Sequence, residues 1–105
     1  MRRIVIESPY AGDIEANTTY ARMCMRDALE RVDAPIASHL LYTQPGILDE
    51  FNPDELQWGI EAGFAWWDAA EKVVFYADRG WSKGMYAAWA KASKEHKPIE
   101  MRLLK

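Results

Sequence analysis

Short unbroken apolar runs alternate along this chain with longer stretches in which apolar positions recur every three or four residues. Arg3–Ser8 (RIVIES) is a β-branched run closed by Pro9 and Gly12, and it predicts a buried strand. From Ile14 to Val32 the period is helical. Ala21, Met25, Ala28, Leu29 and Val32 share one face with Tyr20 and Cys24 beside it, and Asp13 stands where an N-cap is needed. Pro35 precedes a second short strand, Ile36–Leu41. A loop with Pro45 and Gly46 runs into an acidic cluster of Asp49, Glu50, Asp54 and Glu55. Asn52-Pro53 sets a capping side chain beside a proline at the first helical position. Leu56, Ile60, Gly63, Phe64 and Trp67 then mark a helix to about Ala70. Lys72–Ala77 predicts a third strand. Ser82 caps a helix with Met85, Trp89 and Ala92 on one face, and Pro98 stops the chain before a last strand, Ile99–Leu103.

The order β-α-β-α-β-α-β predicts an α/β fold: a four-stranded parallel sheet, doubly wound, with helices on both faces in a three-layer sandwich. The natural strand order is 2-1-3-4. In such sheets a ligand binds beyond the carboxyl ends of the strands where the order reverses, here between strands 1 and 3. The segments Ser8–Asp13 and Asp78–Met85 are expected to meet there. Both are rich in glycine and small polar residues and lead into helix N-termini, whose free N–H groups suit an anion.

Composition narrows what such a sheet can do. The 105 residues, half of them hydrophobic, suit a single domain over 1–105 with a radius of gyration of about 13 Å. No run approaches the roughly 20 apolar residues that cross a bilayer, and MRRIVIESPY does not fit a signal peptide. The lone Cys24 excludes an internal disulfide and a cysteine-rich zinc site, so the expected setting is a reducing, cytoplasmic one. Residues 1–78 hold six Lys/Arg against fourteen Asp/Glu, whereas residues 79–105 hold seven against two. The acidic bulk argues against nucleic acid as a partner. The basic final quarter leaves room for a small phosphorylated ligand, or simply balances the acidic part.

Few motifs carry chemistry. The glycine fingerprints of dinucleotide and nucleoside-triphosphate sites are absent, no cofactor is implied, and neither histidine has the companions a metal would need. His96, near a helix end, reads as a surface residue complementing the dipole. His39, at the end of strand 2, is either a ligand contact or a packed histidine. Asp78 ends strand 3, as a hydroxyl acceptor and acid/base or as a turn former. Glu61 lies mid-helix one position off the apolar stripe, where a solvated residue is the commoner case, and Glu7 would be costly if buried without a partner. Tyr10 is a loop aromatic suited to stacking a ligand. Trp66 and Trp67 cannot both face one core, so some tryptophan surface is expected to be covered by another copy of the chain or a partner.

The motif I-x-S-P-Y-x-G-D (Ile6–Asp13, with Asn17 following) resembles the nucleoside 2-deoxyribosyltransferase-like superfamily, closest to its small bacterial and phage domains. So do Pro35–Leu41 (P-I-A-x-H-L-L), Gly59-Ile60, a strand ending in Asp78, and S-x-G-M (Ser82–Met85). The resemblance spans most of the chain and implies a flavodoxin-like sheet that binds a nucleoside or nucleotide. A glutamate on the helix after strand 3 would attack the anomeric carbon of the sugar. It further implies that Tyr10 flanks the sugar, that Asp78 and Ser82 bind sugar or phosphate, and that Gly84 permits close approach. Ser8, Gly12, Asp13, His39 and Met85 complete the expected ligand site. The chain departs at the nucleophile: the position of the glutamate in S-x-G-M-x-x-E holds Ala88.

Three functions compete on this basis. The first is a nucleoside- or nucleotide-binding protein with weak or absent catalysis, which could sequester a nucleotide. The second is an N-glycosidase or 2-deoxyribosyltransferase using a displaced carboxylate, with Glu61, Asp78 or Glu7 as candidates. The third is a homo-oligomeric interaction protein with a relic pocket. Ala88 favours the first over the second, and the retained loop residues favour it over the third. A chain this short has little length to wall a pocket, which favours a dimer or higher homo-oligomer.

Overall fold

A computed structural model describes residues 1–104. Parallel strands cannot be joined by tight turns, so each pair here is linked through a helical crossover. The order is β1 (Arg2–Glu7), α1 (Ile14–Glu30), β2 (Asp33–Ile36), a single turn α2 (Ser38–Leu41), α3 (Pro53–Ala65) continuing as a 3-10 turn (Trp66–Ala69), β3 (Lys72–Tyr76), α4 (Lys83–Glu95) and β4 (Ile99–Arg102). The four strands pair in parallel in the order β2-β1-β3-β4, as the alternation of elements predicts.

Side chains alternate across the sheet and so divide the core in two. Ile4, Ile6, Val74 and Tyr76 pack against Tyr20, Cys24 and Ala28 of α1. Val5, Val73 and Phe75 pack on the opposite face against Trp67 of the 3-10 turn and Met85, Ala88 and Ala92 of α4. The central strands β1 and β3 are therefore apolar on both sides. A buried ion pair ties the edges: Arg102 of β4 donates to Asp33 of β2 at 2.8 Å and lies over the Tyr76 ring. Neither charge would be tolerable there alone.

Four local expectations change. The second strand is Asp33–Ile36, not Ile36–Leu41, and Pro35 lies within it, which an edge strand tolerates. Ser38–Leu41 is helical: Leu40 packs against the α1 side of the core, and Thr43 and Gln44 donate to the free carbonyls of His39 and Leu40. A run this short has no period to distinguish strand from turn. Helix α1 ends at Glu30, with Val32 beyond it at φ 66°; its buried residues are Tyr20, Ala21, Cys24 and Ala28, so Ala21 and Ala28 of the expected face are buried while Leu29 and Val32 are exposed. In α3 only Gly63 is buried, and Leu56 and Ile60 stand off the sheet. The two adjacent tryptophans separate as expected: Trp67 is buried, while Trp66 is half exposed and donates its indole N–H to the Tyr42 hydroxyl at 2.7 Å.

Helix α3 is held beside α2 by close approach at Gly63, where an added Cβ would lie 2.5 Å from Ser38 Oγ and 2.7 Å from Ser38 Cβ. Rotating the hydroxyl away does not relieve the second contact. Gly63→Ala is expected to destabilise the protein by about 1–3 kcal/mol despite its better helix propensity. Denaturant unfolding checks this; a variant as stable as the parent would mean that α3 is free to move off α2.

Candidate functional site

The β1 carboxyl end, where the strand order reverses, opens into a cleft of about 800 Å³. Glu7 and Ser8 reach it from the end of β1, Tyr10 to Gly12 from the following loop, and Ser82 to Met85 from the first turn of α4. The remaining wall comes from residues between 38 and 64: His39 and Tyr42, then Leu48, then Leu56, Ile60 and Phe64 of α3, with Glu50 and Glu55 among them. The stand-off of α3 is what makes the space.

Local chemistry fixes each part. Asn17 donates to the carbonyls of Tyr10 and Ala11 at 3.0 and 3.1 Å, holding the first loop against α1. Gly12 takes φ +99°, a backbone state that side chains oppose. The Tyr10 hydroxyl donates to Glu50 at 3.1 Å, and its ring stands edge-on to His39 with centroids 6.2 Å apart. His39 Nε2 meets Ser8 Oγ at 2.8 Å. Burial pushes the imidazole down to about 4, so at neutral pH it is uncharged. Ser82 accepts from Met85 N–H at 3.2 Å, and Lys83 is exposed one residue later at the cleft edge.

Glu7 is the exceptional group. It follows the side of Val5 and Phe75, toward α4 and the cleft, in register with Phe75 across β1 and β3. Burial alone pushes its carboxyl up to about 8. At neutral pH Glu7 is mostly protonated, a hydrogen-bond donor in an otherwise largely apolar pocket. Ala88 is fully buried in the core on that same side of the sheet, packed among Val5, Phe75 and Met85. The carboxyl that the resemblance would set on α4 is absent, and one stands instead on β1.

Of the residues singled out in the sequence, Ser8, Tyr10, Gly12, His39, Ser82, Gly84 and Met85 meet at this cleft. His39 arrives from α2, not from a strand end. Asp13, Asp78 and Glu61 do not line it. Asp13 caps α1, accepting from Ala16 N–H at 3.1 Å. Asp78 points to the α1 side, where it accepts from the Tyr20 hydroxyl and from Leu104 N–H at 3.0 and 3.1 Å. Desolvation, the largest single influence, raises its carboxyl, but the Tyr20 hydroxyl, the Leu104 amide, its own amide and Arg79 together hold it below the usual range. It joins the end of β3 to α1 and to the chain after β4. Glu61 is exposed and accepts from Gln57 at 3.2 Å. The wall between residues 42 and 64 lies outside the site expected from the two loops. Its sequence signals are an apolar stripe, Leu56-Ile60-Phe64, attached to an acidic loop, and the Gly59-Ile60 pair that takes part in the resemblance. Among the described residues no group of three or more His, Cys, Asp or Glu side chains could hold a metal ion.

These features define a small three-layer α/β protein with its cleft at the switch point of a parallel sheet. The chain belongs to the family described as Domain of unknown function (DUF7768), which matches residues 2–102 and so takes in every residue of the cleft. No curated protein matches the chain. No helix among the described residues is long and apolar enough to cross a membrane.

The buried carboxyl makes stability depend on pH. An unfolded glutamate ionises near 4.5 and Glu7 in the folded chain near 8, so between those values the folded state holds the extra proton. Stability therefore falls as pH rises through that window and levels above it. Glu7→Gln is expected to remove this slope, the variant gaining on the parent from about pH 5 to about pH 9. Denaturant midpoints of both proteins across that range measure it. His39, neutral when folded, gives the opposite trend from about 6.5 down to about 4 and cancels in the comparison. Parallel curves would mean that Glu7 is solvated.

Proposed function

We propose that this chain binds a nucleoside or nucleotide in the cleft and has weak or no glycosyl-transfer activity. The observation that carries the reading is the meeting of two motifs, S-P-Y-x-G-D and S-x-G-M, across one cleft at the switch point of the sheet. These are the segments whose resemblance implies a nucleoside site. The apolar wall of Leu56, Ile60 and Phe64 suits a heterocycle, and Tyr10 offers a ring to stack. Glu50 and Glu55 supply acceptors for sugar hydroxyls, and protonated Glu7 supplies a donor. A phosphate, where present, belongs at the first turn of α4 beside Lys83, away from the acidic side.

Binding without turnover is favoured over glycosyl transfer by the state of the carboxyls. A nucleophile must be ionised to attack the anomeric carbon. Glu7 is mostly neutral at pH 7, Ala88 has no reactive group, Asp78 and Glu61 lie outside the cleft, and Glu50 and Glu55 stand at its margin, held there by the Tyr10 hydroxyl and the Asp49 N–H. A protein that holds a nucleotide without consuming it withdraws that nucleotide from other uses.

Calorimetry with a panel of ribo- and deoxynucleosides and their monophosphates, combined with chromatography for free base, tests the proposal. Binding with no base released is expected. Tyr10→Ala should weaken the affinity by roughly 1 kcal/mol or more through lost stacking. Gly84→Ala is the more discriminating variant. Its added Cβ would meet only Ser82 Oγ, at 3.8 Å, so the fold should keep its stability while a ligand approaching α4 loses affinity. Free base released by the parent and abolished by Glu7→Gln would instead establish a displaced-carboxylate glycosidase. No binding across the whole panel would sink the nucleoside reading.

A further inference from the structure

The sheet has two open edges, and they differ. Strand β2 carries Pro35, which removes a donor from its ladder, whereas β4 (Ile99–Arg102) has no proline within it. The carbonyls of Pro98 and Arg102 accept from Val73 and Ala77 N–H at 3.0 and 3.1 Å. In a parallel ladder alternate residues turn both backbone groups to the same neighbour, so Ile99, Met101 and Leu103 present theirs to the free edge.

An exposed apolar surface adjoins that edge. Ile99, Met101 and Leu103 are all substantially exposed, and Met101, in register with Phe75, lies on the α4 side of the sheet. Helix α4 turns Met85, Ala88 and Ala92 to the sheet, and Lys91 on one flank lies over Phe64 and Trp67 toward α3. Tyr86 and Trp89 occupy the opposite flank, toward β4, and are 61% and 46% exposed. Trp81 stacks on Phe75 and tilts against Tyr86, making the surface continuous from Met101 to α4.

The pattern of β4 is complementary to itself. We propose that β4 pairs antiparallel with β4 of a second copy about a two-fold axis at Met101, joining two sheets into one of eight strands. With the axis there, Met101 faces its own counterpart and Ile99 faces Leu103, twice over, while Glu100 and Arg102, already paired with each other within each chain, bring no unpaired charge to the seam. Outward-facing residues then oppose one another, as the hydrogen-bonded ladder requires. Moving the axis by one residue preserves that match but leaves Leu103 or Ile99 without an apolar partner, so the apolar set Ile99, Met101 and Leu103 selects the register. The interface closes on itself, and Trp89 and Tyr86 of each copy flank the new strand pair. Another protein's extended segment would lack this reciprocal fit.

Light scattering and sedimentation equilibrium on the full chain, with no ligand present, test this separately from the nucleoside reading. A mass twice the 12.1 kDa of the chain is expected. Met101→Glu and Met101→Lys should each run as single chains with unchanged circular dichroism, since residue 101 is half exposed and its N–H faces outward. Mixing the two should restore the dimer mass, because opposite charges then meet at the axis. Trp89→Ser should raise the dissociation constant roughly tenfold or more while leaving β4 itself intact. A single-chain mass for the parent, or a dimer that persists in Met101→Glu, overturns the proposal.

Discussion

The central pair of strands, β1 and β3, is buried on both faces, and the other elements are arranged around that constraint. Two strands with apolar residues on alternating sides need cover above and below, and parallel pairing requires a crossover for each connection. Helix α1 covers one face. The 3-10 turn and α4 cover the other, where Val5, Val73 and Phe75 meet Trp67 and Met85. Since β2 lies beyond β1 and β4 beyond β3, the chain leaves the two central strands in opposite directions, which opens the sheet at their carboxyl ends. The cleft follows from the topology before any side chain is considered.

What fills the α4 side of the sheet is uneven. At its amino end the layer is packed tightly by Trp67, Ala70 and Ala92, whereas toward its carboxyl end α3 is anchored through Gly63 to α2 and meets the core through Phe64. The space between is lined by apolar side chains and holds two groups that burial has discharged, Glu7 and His39. A neutral carboxyl and a neutral imidazole in one cleft make a site that recognises hydrogen-bonding shape more than charge. Charge is confined to the margins, with Lys83 at the α4 turn and Glu50 and Glu55 beside α3.

The carboxylates show how far residue type alone can mislead. Asp78 ends a strand at the switch-point side, the position from which a side chain is expected to enter the crevice. It turns the other way, because the Tyr20 hydroxyl and the Leu104 amide are there to receive it. Glu7 carries no motif of its own beyond its place before Ser8-Pro9-Tyr10, yet it lines the cleft. The difference lies in strand parity: residues 5 and 7 share a face, and that face looks toward α4. Likewise Leu56 and Ile60 have the period of core residues but wall a cavity, since periodicity records which side of a helix is apolar and not what stands opposite it.

The sequence by itself determined the class of fold, the strand order 2-1-3-4, the caps at Asp13, Asn52 and Ser82, and the two loops that meet at the cleft. Those features rest on local propensity, hydrophobic period and the handedness of crossovers, all of which are written in short windows of residues. Only the tertiary structure decided that Ser38–Leu41 is a helical turn, that Glu7 rather than Asp78 or Glu61 faces the cleft, and that α3 stands off the sheet to form its wall. Each of these depends on contacts between residues tens of positions apart, such as Ser8 with His39, Tyr10 with Glu50 and Ser38 with Gly63. Local pattern carries no record of such partners, because burial and hydrogen bonding across the fold, not spacing along the chain, select among conformations that are locally equivalent.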